Sequence, residues 1–403
     1  MAGVSYPKWT RGETTTWKRT VDEDIIFVTQ AATPILGLVS PGLNNLPVAC
    51  EHTKFEWMED ELNLLESKVG ATAGDATTPT PTGAVTIAAT TFYVNFAEGE
   101  YFLAGHILQI EDELLIVTTA GTGADVVTTA TRGYSYSDAA EHAAGSAVKI
   151  VSRAHNEGGA PTTDTYGVAT LPYNFTQIWQ QQFEFTSTEQ AITRYGNVGR
   201  FDRLEAMTLK NLMTLMERTF LEGGRVERTT RTAIAATVGS SGGLLDTTAA
   251  YVYSENINDL ASAALTRSDV LDLLQEIYAR VGVEYMPTTI LCNSWAKRKL
   301  NDFFEVYVQT SRTDRTGGAI YDRILTDFGE LDIVMCTNVR ADHMHFIHTP
   351  FCAIGPLKGE EFRTVELAQT TGLMTEYQVI GEYTMMIKNP KTHGRITGFS
   401  TST

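Results

Sequence analysis

The sequence predicts an α+β protein in which a small all-β domain interrupts the parent chain ahead of a long helix. Three observations lead to this fold class: a strand of alternating aromatic residues, a long amphipathic helix directly after it, and a group of short strands between two loose linkers. A chain of 403 residues, 43% of them hydrophobic, is long enough to bury a full core and to hold two or three domains.

The aromatic strand spans 173–186, where polar and apolar residues alternate with a period of two. The even positions are polar except Ile178, which predicts one buried and one wet face. The aromatic residues at odd positions are Tyr173, Phe175, Trp179, Phe183 and Phe185.

The helix is predicted from 197 to 224, because apolar residues recur there at three- and four-residue spacing. Gly223 and Gly224 are expected to end it. At about 1.5 Å per residue, such a helix is roughly 40 Å long. A rod of this length suits a brace in a thin protein sheet better than the wall of a substrate pocket.

The inserted all-β module is predicted over 83–152. It is preceded by a Thr/Ala/Gly/Pro-rich linker at 70–83 and followed by a second loose linker at 156–164. Its candidate strands are 84–88, 106–110, 114–118, 126–131 and 147–151. Many short strands at close spacing favour a small barrel or sandwich.

The remaining chain reads as an arm at 1–54, a mixed α/β domain and closing strands. Thr266 and Asp269 form a predicted capping box, and Gly282 a predicted helix stop. Further strands are expected at 55–62, 288–292, 320–325, 332–336 and 344–348, with a long one at 377–387 and a last one through 396–399. The arm carries so much apolar sequence that we expect a neighbouring subunit to cover it.

The net charge of −17 and the lack of any basic run argue against a protein that wraps nucleic acid with a basic face. The four cysteines form no Cys-x-x-Cys pair, so neither disulfides nor a zinc site is expected. The sequence shows no signal peptide and no apolar stretch of about 20 residues, which predicts a soluble, cytoplasmically made protein with no membrane partner.

The sequence contains no recognisable catalytic, cofactor-binding or metal-binding motif, which predicts that the chain has no such residues, binds no cofactor and is not an enzyme. The DFG triplet at 327–329 matches a kinase motif, but the other kinase motifs are missing and a hairpin turn is expected. His343, His345 and His348 lack a further ligand and favour a solvated edge strand.

Other ionisable residues favour ordinary surface roles. His106, His142 and His155 are expected at surface or turn positions. The carboxylates of Glu56, Glu59, Asp60 and Glu61 are contiguous, and a strand would divide them between two faces, so a wet edge or a subunit contact is expected.

Taken together, several segments resemble the major capsid proteins of tailed phages with the Hong Kong 97-like fold. The resemblance covers most of the chain outside 83–152. It rests on the order of these segments: ATPI at 32–35, FEWMEDEL at 55–62, EQA through YG at 189–196, MERTFLEGG at 216–224, NSWAKR at 293–298, DFGELDIV at 327–334, GEYT at 381–384 and HGRITG at 393–398.

The resemblance implies five parts: an N-terminal arm, an extended loop, a spine helix, a peripheral domain and an axial domain. Placed on this sequence, they are the arm at 1–54, a peripheral-domain strand and extended loop at 55–192 carrying the module 83–152, the spine helix and following loop at 193–256, the axial domain at 257–350 and C-terminal peripheral-domain strands at 351–403.

The function implied is a shell protein of a tailed-phage head enclosing double-stranded DNA, assembled in the host cytoplasm and located in the virion. Its partners would be many copies of itself in hexamers and pentamers, with scaffolding, portal and decoration proteins. Two alternatives stay open: a bacterial nanocompartment shell of the same fold, and a glycan-active enzyme with an appended β module.

Overall fold

The computed structural model describes residues 33–60, 66–69, 85–94, 102–119, 126–127, 130–159, 169–192, 200–229, 238–304, 323–367 and 374–401. Residues 1–32 of the predicted arm lie outside the described residues. The chain divides into two compact units, Met58–Thr170 and the remainder. Each unit has a hydrophobic core of its own.

The helices are α1 Pro34–Val39, α2 Ser187–Ala191, α3 Arg200–Glu222, α4 Arg267–Val281 and α5 Ser294–Phe304. The strands are β1 Lys54–Glu56, β2 Glu66–Lys68, β3 Phe92–Tyr93, β4 His106–Ile110, β5 Glu113–Val117, β6 Val126–Val127, β7 Ala130–Thr131, β8 Ala147–Arg153, β9 Tyr173–Phe175, β10 Gln177–Thr186, β11 Ile257–Asp259, β12 Thr289–Cys292, β13 Arg323–Thr326, β14 Gly329–Met335, β15 Met344–Ile347, β16 Cys352–Pro356, β17 Arg363–Leu367, β18 Met374–Ile387 and β19 Gly394–Thr397.

The predicted aromatic strand and long helix are both present. The strand is divided at Thr176 into β9 and β10, and β10 pairs antiparallel with β18 along its whole length. The sheet order is β10-β18-β16, with β17 also on β18. Phe183 stacks on Tyr377 with ring centroids 5.5 Å apart, and Phe201 of α3 lies edge-on to Tyr377 at 4.8 Å. The aromatic side chains therefore join the helix to the sheet.

A six-stranded sheet in the order β11-β19-β15-β12-β14-β13 forms the second core of this unit, with side chains of α4 and α5 packed against it. The predicted capping box of Thr266 and Asp269 begins α4, and Gly282, at φ +69°, follows its last residue. Segment 351–403 contributes to both sheets, because β16–β18 lie in one and β19 lies between β11 and β15 in the other.

The unit Met58–Thr170 holds a five-stranded sheet in the order β2-β8-β4-β5-β7. The strands predicted at 106–110, 114–118 and 147–151 are confirmed to within two residues as β4, β5 and β8. The strand predicted at 84–88 is wrong, because Val85 forms only an isolated bridge with His142 and a turn follows it. The short β2 and β3 were not predicted, since three and two residues carry too little periodicity.

The strand expected at 55–62 is shorter than predicted. Strand β1 pairs with β9 and ends at Glu56, after which the Trp57 side chain stacks on Tyr251 with centroids 6.1 Å apart. Residues 61–65 lie outside the described residues.

Candidate assembly site

The first described helix, α1, packs against the body of its own chain. Ile35, Leu36 and Val39 are almost fully buried, in a core that also contains Leu212 and Met216 of α3. The prediction that a neighbouring subunit covers the apolar residues of the arm is therefore wrong for this part of it. Pro34 at the first helical position begins α1, because its fixed φ suits a helix start and its missing N–H is not needed there.

The carboxylate of Glu217 lies at the centre of this contact. One oxygen, Oε2, accepts hydrogen bonds from the backbone N–H groups of Ile35 at 2.9 Å and Leu36 at 3.3 Å. The other oxygen, Oε1, accepts from the thiol of Cys336 at 2.9 Å and from Nδ2 of Asn338 at 2.7 Å. Glu217 is fully buried, so one side chain joins α1, α3 and the loop that follows β14.

The surroundings keep this hydrogen-bonding arrangement in place. Burial and then the hydrogen bond to Glu217 raise the pKa of the Cys336 thiol to about 12, so the thiol remains a donor at neutral pH. Asn338 Oδ1 in turn accepts from Nε of Arg218 at 3.0 Å. Buried polar groups that are all satisfied in this way fix one geometry of the segments that carry them.

Glu217 was not among the residues predicted to be important, although the sequence contains a signal for it. Position 217 is four residues after Met213 and three before Phe220, so it falls on the apolar stripe of α3. A carboxylate on an apolar stripe needs buried donors. No sequence pattern identifies those donors, because they come from positions about 120 and 180 residues away.

In the unit Met58–Thr170, a second buried carboxylate holds a turn together. Glu113 receives two hydrogen bonds from Arg132, each 2.6 Å long, and contacts Nε2 of His142 at 2.9 Å. The expected surface position of His142 is wrong, because its side chain is buried. His106 is buried as well, whereas His155 is exposed as expected.

The histidines of the six-stranded sheet also differ from expectation. The predicted solvated edge strand is wrong: β15 lies between β12 and β19, and both His345 and His348 are buried. The two polar neighbours His343 and Asp342 pair at 2.8 Å. The prediction failed because β19, from the C-terminal segment, pairs with the edge of β15 that was expected to be exposed to solvent.

The remaining candidate motifs and residues lie in turns, in strand contacts or in the core. The DFG triplet forms the turn between β13 and β14, as predicted. Glu56 pairs with Lys54 on an exposed edge, and Glu59 belongs to a bridge with Thr170. All four cysteines are buried free thiols. Within the described residues, no group of three or more His, Cys, Asp or Glu side chains could hold a metal, and no helix is long and apolar enough to cross a membrane.

Comparisons with known proteins agree with this arrangement of spine helix and sheets. A sequence model of the SU10 major capsid protein family matches residues 8–400. Among solved structures, the cyanophage A-1(L) capsid asymmetric unit has a TM-score of 0.55 at 11% identity, covering 96% of this chain and 98% of that chain. The capsid of a native GTA particle has a TM-score of 0.48 at 9% identity, covering 97% and 98%. The search of curated proteins found no match.

The likeness to the cyanophage capsid gives the fold class, and the family match gives the role. The cyanophage capsid likeness supports the Hong Kong 97-like α+β fold, and the family match extends over nearly the whole chain. The role that follows is structural: copies of the chain associate into the capsid shell of a tailed-phage virion. The chain belongs to the SU10 major capsid protein family.

Proposed function

We propose that copies of this chain form hexamers and pentamers, which close into an icosahedral head around double-stranded DNA in the host cytoplasm. In this proposal the chain has no catalytic activity, and it works with scaffolding, portal and decoration proteins. The observation that carries the proposal is the attachment of α1 to α3 through Glu217. That attachment gives residues 1–32 a defined starting point on the body of the subunit.

The proposed role of residues 1–32 is to reach neighbouring copies. An extended chain of this length spans at most roughly 110 Å, whereas α3, with its 23 residues, spans only about 35 Å. When fully extended, the segment would be longer than α3, which favours contact with neighbouring copies. Several modest contacts made at once by every copy give a shell more stability than one contact alone.

We also propose that the module 83–152 is carried by the extended loop and projects from the outer surface of the shell. Two observations support the first part of this proposal, that the module is an insertion. The unit Met58–Thr170 has its own buried core, and its ends meet in an antiparallel bridge between Glu59 and Thr170. A compact unit whose ends are adjacent can be added to a hairpin without disturbing the parent fold.

The test compares the full-length chain with a variant that lacks residues 1–32, using negative-stain electron microscopy of both proteins. We expect shells, sheets or capsomer rings from the full chain and unassembled subunits from the truncated one. Because α1 and Glu217 remain, the truncated chain should unfold at nearly the same temperature as unassembled subunits of the full chain. Solitary full-length subunits at high concentration, or unchanged assembly after truncation, would contradict the proposal.

A matched variant replaces the residues between Glu59 and Thr170, which form an antiparallel bridge, with a short Gly/Ser linker and so removes the whole compact unit that contains the module. If the module only projects from the shell, this variant should still assemble into particles of the same kind. Loss of assembly in the linker variant would show that the module takes part in the contacts between subunits.

A further inference from the structure

Two polar side chains lie next to each other in a cross-strand row of the six-stranded sheet whose other members are apolar. His345 of β15 and Arg395 of β19 are direct cross-strand partners, so their side chains share one face. The next residues in this row are Leu291 on one side and Ile257 on the other. Both of these pack into the core around α3. The polar pair therefore interrupts an apolar row.

Both side chains are deeply buried and incompletely hydrogen-bonded. Arg395 is 8% exposed and His345 is 2% exposed. Nη1 of Arg395 donates to the carbonyl oxygen of Leu244 at 3.3 Å. Nε of Arg395 and Nδ1 of His345 have no hydrogen-bond partner among the described residues. Buried nitrogen atoms of this kind are nearly always satisfied by protein, water or an ion.

The acidic side chains of the surrounding segments are engaged elsewhere. Glu222 accepts two hydrogen bonds from Arg340, at 2.7 and 3.1 Å, and Asp342 pairs with His343. The carboxylate of Asp246 accepts three backbone N–H groups. None of these bonds involves Arg395, so the guanidinium lacks an acidic partner within the described part of the chain.

Two carbonyl oxygens near the C-terminal end of α3 already accept from other donors. The carbonyl oxygens of Phe220 and Leu221 accept from the backbone N–H groups of Leu244 and Leu245, at 2.9 and 3.0 Å. Burial lowers the pKa of Arg395, and burial together with nearby positive charges lowers the pKa of His345 to about 3. The region is therefore positive and shielded from water, which attracts an anion.

We propose that a small inorganic anion of the halide class binds between Nε of Arg395 and Nδ1 of His345. Neutral His345 can donate from Nδ1, so one ion accepts from both side chains and supplies the missing counter-charge. The near-complete burial of Arg395 suits a small ion better than the side chain of another subunit. By joining β15 and β19 beneath the Leu244 carbonyl, the ion would stabilise the sheet against the end of α3.

The first test measures thermal unfolding of the full-length chain in sodium chloride and in sodium gluconate at equal ionic strength. Gluconate is a much larger anion than chloride, so a site between two nearly fully buried side chains should exclude it. A ligand that binds only the folded state raises the unfolding temperature, so we expect a midpoint several degrees higher in chloride, and in sodium bromide as well. Equal midpoints in chloride and gluconate would overturn the proposal.

Variants separate this site from general salt effects. Arg395→Met removes the charge and should abolish the difference between chloride and gluconate. Arg363→Met, which removes an exposed arginine paired with Glu360, should keep the difference. If Arg395→Met does not fold, His345→Leu provides the same comparison, because it removes one of the two donors and leaves the strand apolar.

Anomalous diffraction from crystals soaked in sodium bromide locates the ion. A peak within hydrogen-bonding distance of Arg395 Nε and His345 Nδ1 is expected. Water at that position would overturn the proposal. A bromide peak without any rise in the unfolding temperature would mean an adventitious ion only, and would overturn it too.

Discussion

The carboxylate of Glu217 on α3 accepts a hydrogen bond from the backbone N–H of Ile35, 182 positions earlier in the chain, at 2.9 Å. This bond joins the N-terminal segment to the spine helix inside a buried core. Because Cys336 and Asn338 donate to the same carboxylate, the three segments hold one another in position. Removing this one side chain should therefore affect the whole unit.

Glu217→Gln should destabilise the chain by about 2–4 kcal/mol, because all four neighbouring groups donate hydrogen bonds and a glutamine amide brings a further donor among them. The measurement is urea unfolding of the unassembled chain, followed by tryptophan fluorescence. The midpoint should fall while the slope stays unchanged, since the surface exposed on unfolding is the same.

Glu222→Gln is the matched control, five residues further along α3. Glu222 pairs with Arg340 at the surface, and the two side chains are 34% and 54% exposed. Exposed pairs contribute about 0–1 kcal/mol, so this variant should remain close to the parent chain. Equal losses in the two variants would show that Glu217 has no special role.

The sequence was sufficient for features that depend on local periodicity. The alternation in β10, the stripe of α3 and the Thr266–Asp269 cap of α4 all appear as predicted, because each is decided by residues within one element. The resemblance to capsid proteins supplied the assembly role, which periodicity alone does not give.

Features that depend on distant segments were missed. His345 was expected at a wet edge, yet β19 pairs with β15 from about 50 residues further on and buries it. Ile35 and Leu36 were expected to be buried only by a neighbouring subunit, yet α3 of the same chain buries them. In both cases the deciding partner is remote in sequence, so no pattern near the residue reveals it.

The unit Met58–Thr170 should lose stability in strong acid. Burial opposes the charge of Glu113, but hydrogen bonds from Arg132, His142 and two backbone N–H groups outweigh it and lower its pKa to about 2. This contribution is complete above pH 4.5 and is lost as the pH falls from 4.5 towards 2. It amounts to roughly 3 kcal/mol, since a tenfold change in proton affinity is worth about 1.4 kcal/mol.

Hydrogen exchange with mass spectrometry, read on peptides covering β4 and β5, checks this expectation. Protection should fall between pH 4.5 and 2 in the parent chain. Glu113→Gln should lower protection at neutral pH and flatten the pH dependence. Glu141→Gln, an exposed control in the same unit, should behave like the parent. A parent profile that is flat over this range would contradict the assignment.

His393 should make the other unit sensitive to milder acid. Its Nδ1 accepts from the backbone N–H of His348, and burial is the main cause that lowers its pKa to about 4. The folded chain keeps this imidazole neutral, whereas the unfolded chain takes up a proton below pH 6.5. Stability should therefore fall as the pH drops from 6.5 to 4, by roughly 3 kcal/mol at the lower limit.

Unfolding temperatures of the parent and of His393→Gln between pH 7 and 4 test this. The parent should lose stability steadily, and the variant should start lower and change less. Some pH dependence should persist in the variant, because burial also lowers the pKa of His345, to about 3. If the unfolding temperatures of parent and variant changed equally with pH, His393 would be excluded as a source of the pH dependence.

The acidity of the chain predicts weak contact with the packaged genome. A net charge of −17 repels phosphate, so DNA can enter a shell without adhering to its wall. Fluorescence anisotropy with labelled duplex DNA should show only weak binding that barely changes between about 50 and 200 mM salt. A steep fall in affinity over that range would indicate clustered phosphate contacts and would contradict this expectation.

The turn after α3 should tolerate no side chain at Gly243. A Cβ there would meet the carbonyl oxygens of Thr219 and Phe220, the latter at 2.5 Å, and both belong to the helix backbone. The backbone cannot move away easily, because Leu244 donates to the Phe220 carbonyl at 2.9 Å. Gly243→Ala should therefore lower the free energy of unfolding, measured in urea, by at least about 2 kcal/mol.

Gly224→Ala is the control, since a Cβ there meets nothing within 4 Å, and it should change the free energy of unfolding by only about 0.5 kcal/mol. Equal tolerance at both positions would mean that the turn and the end of α3 are not packed as closely as the distances indicate.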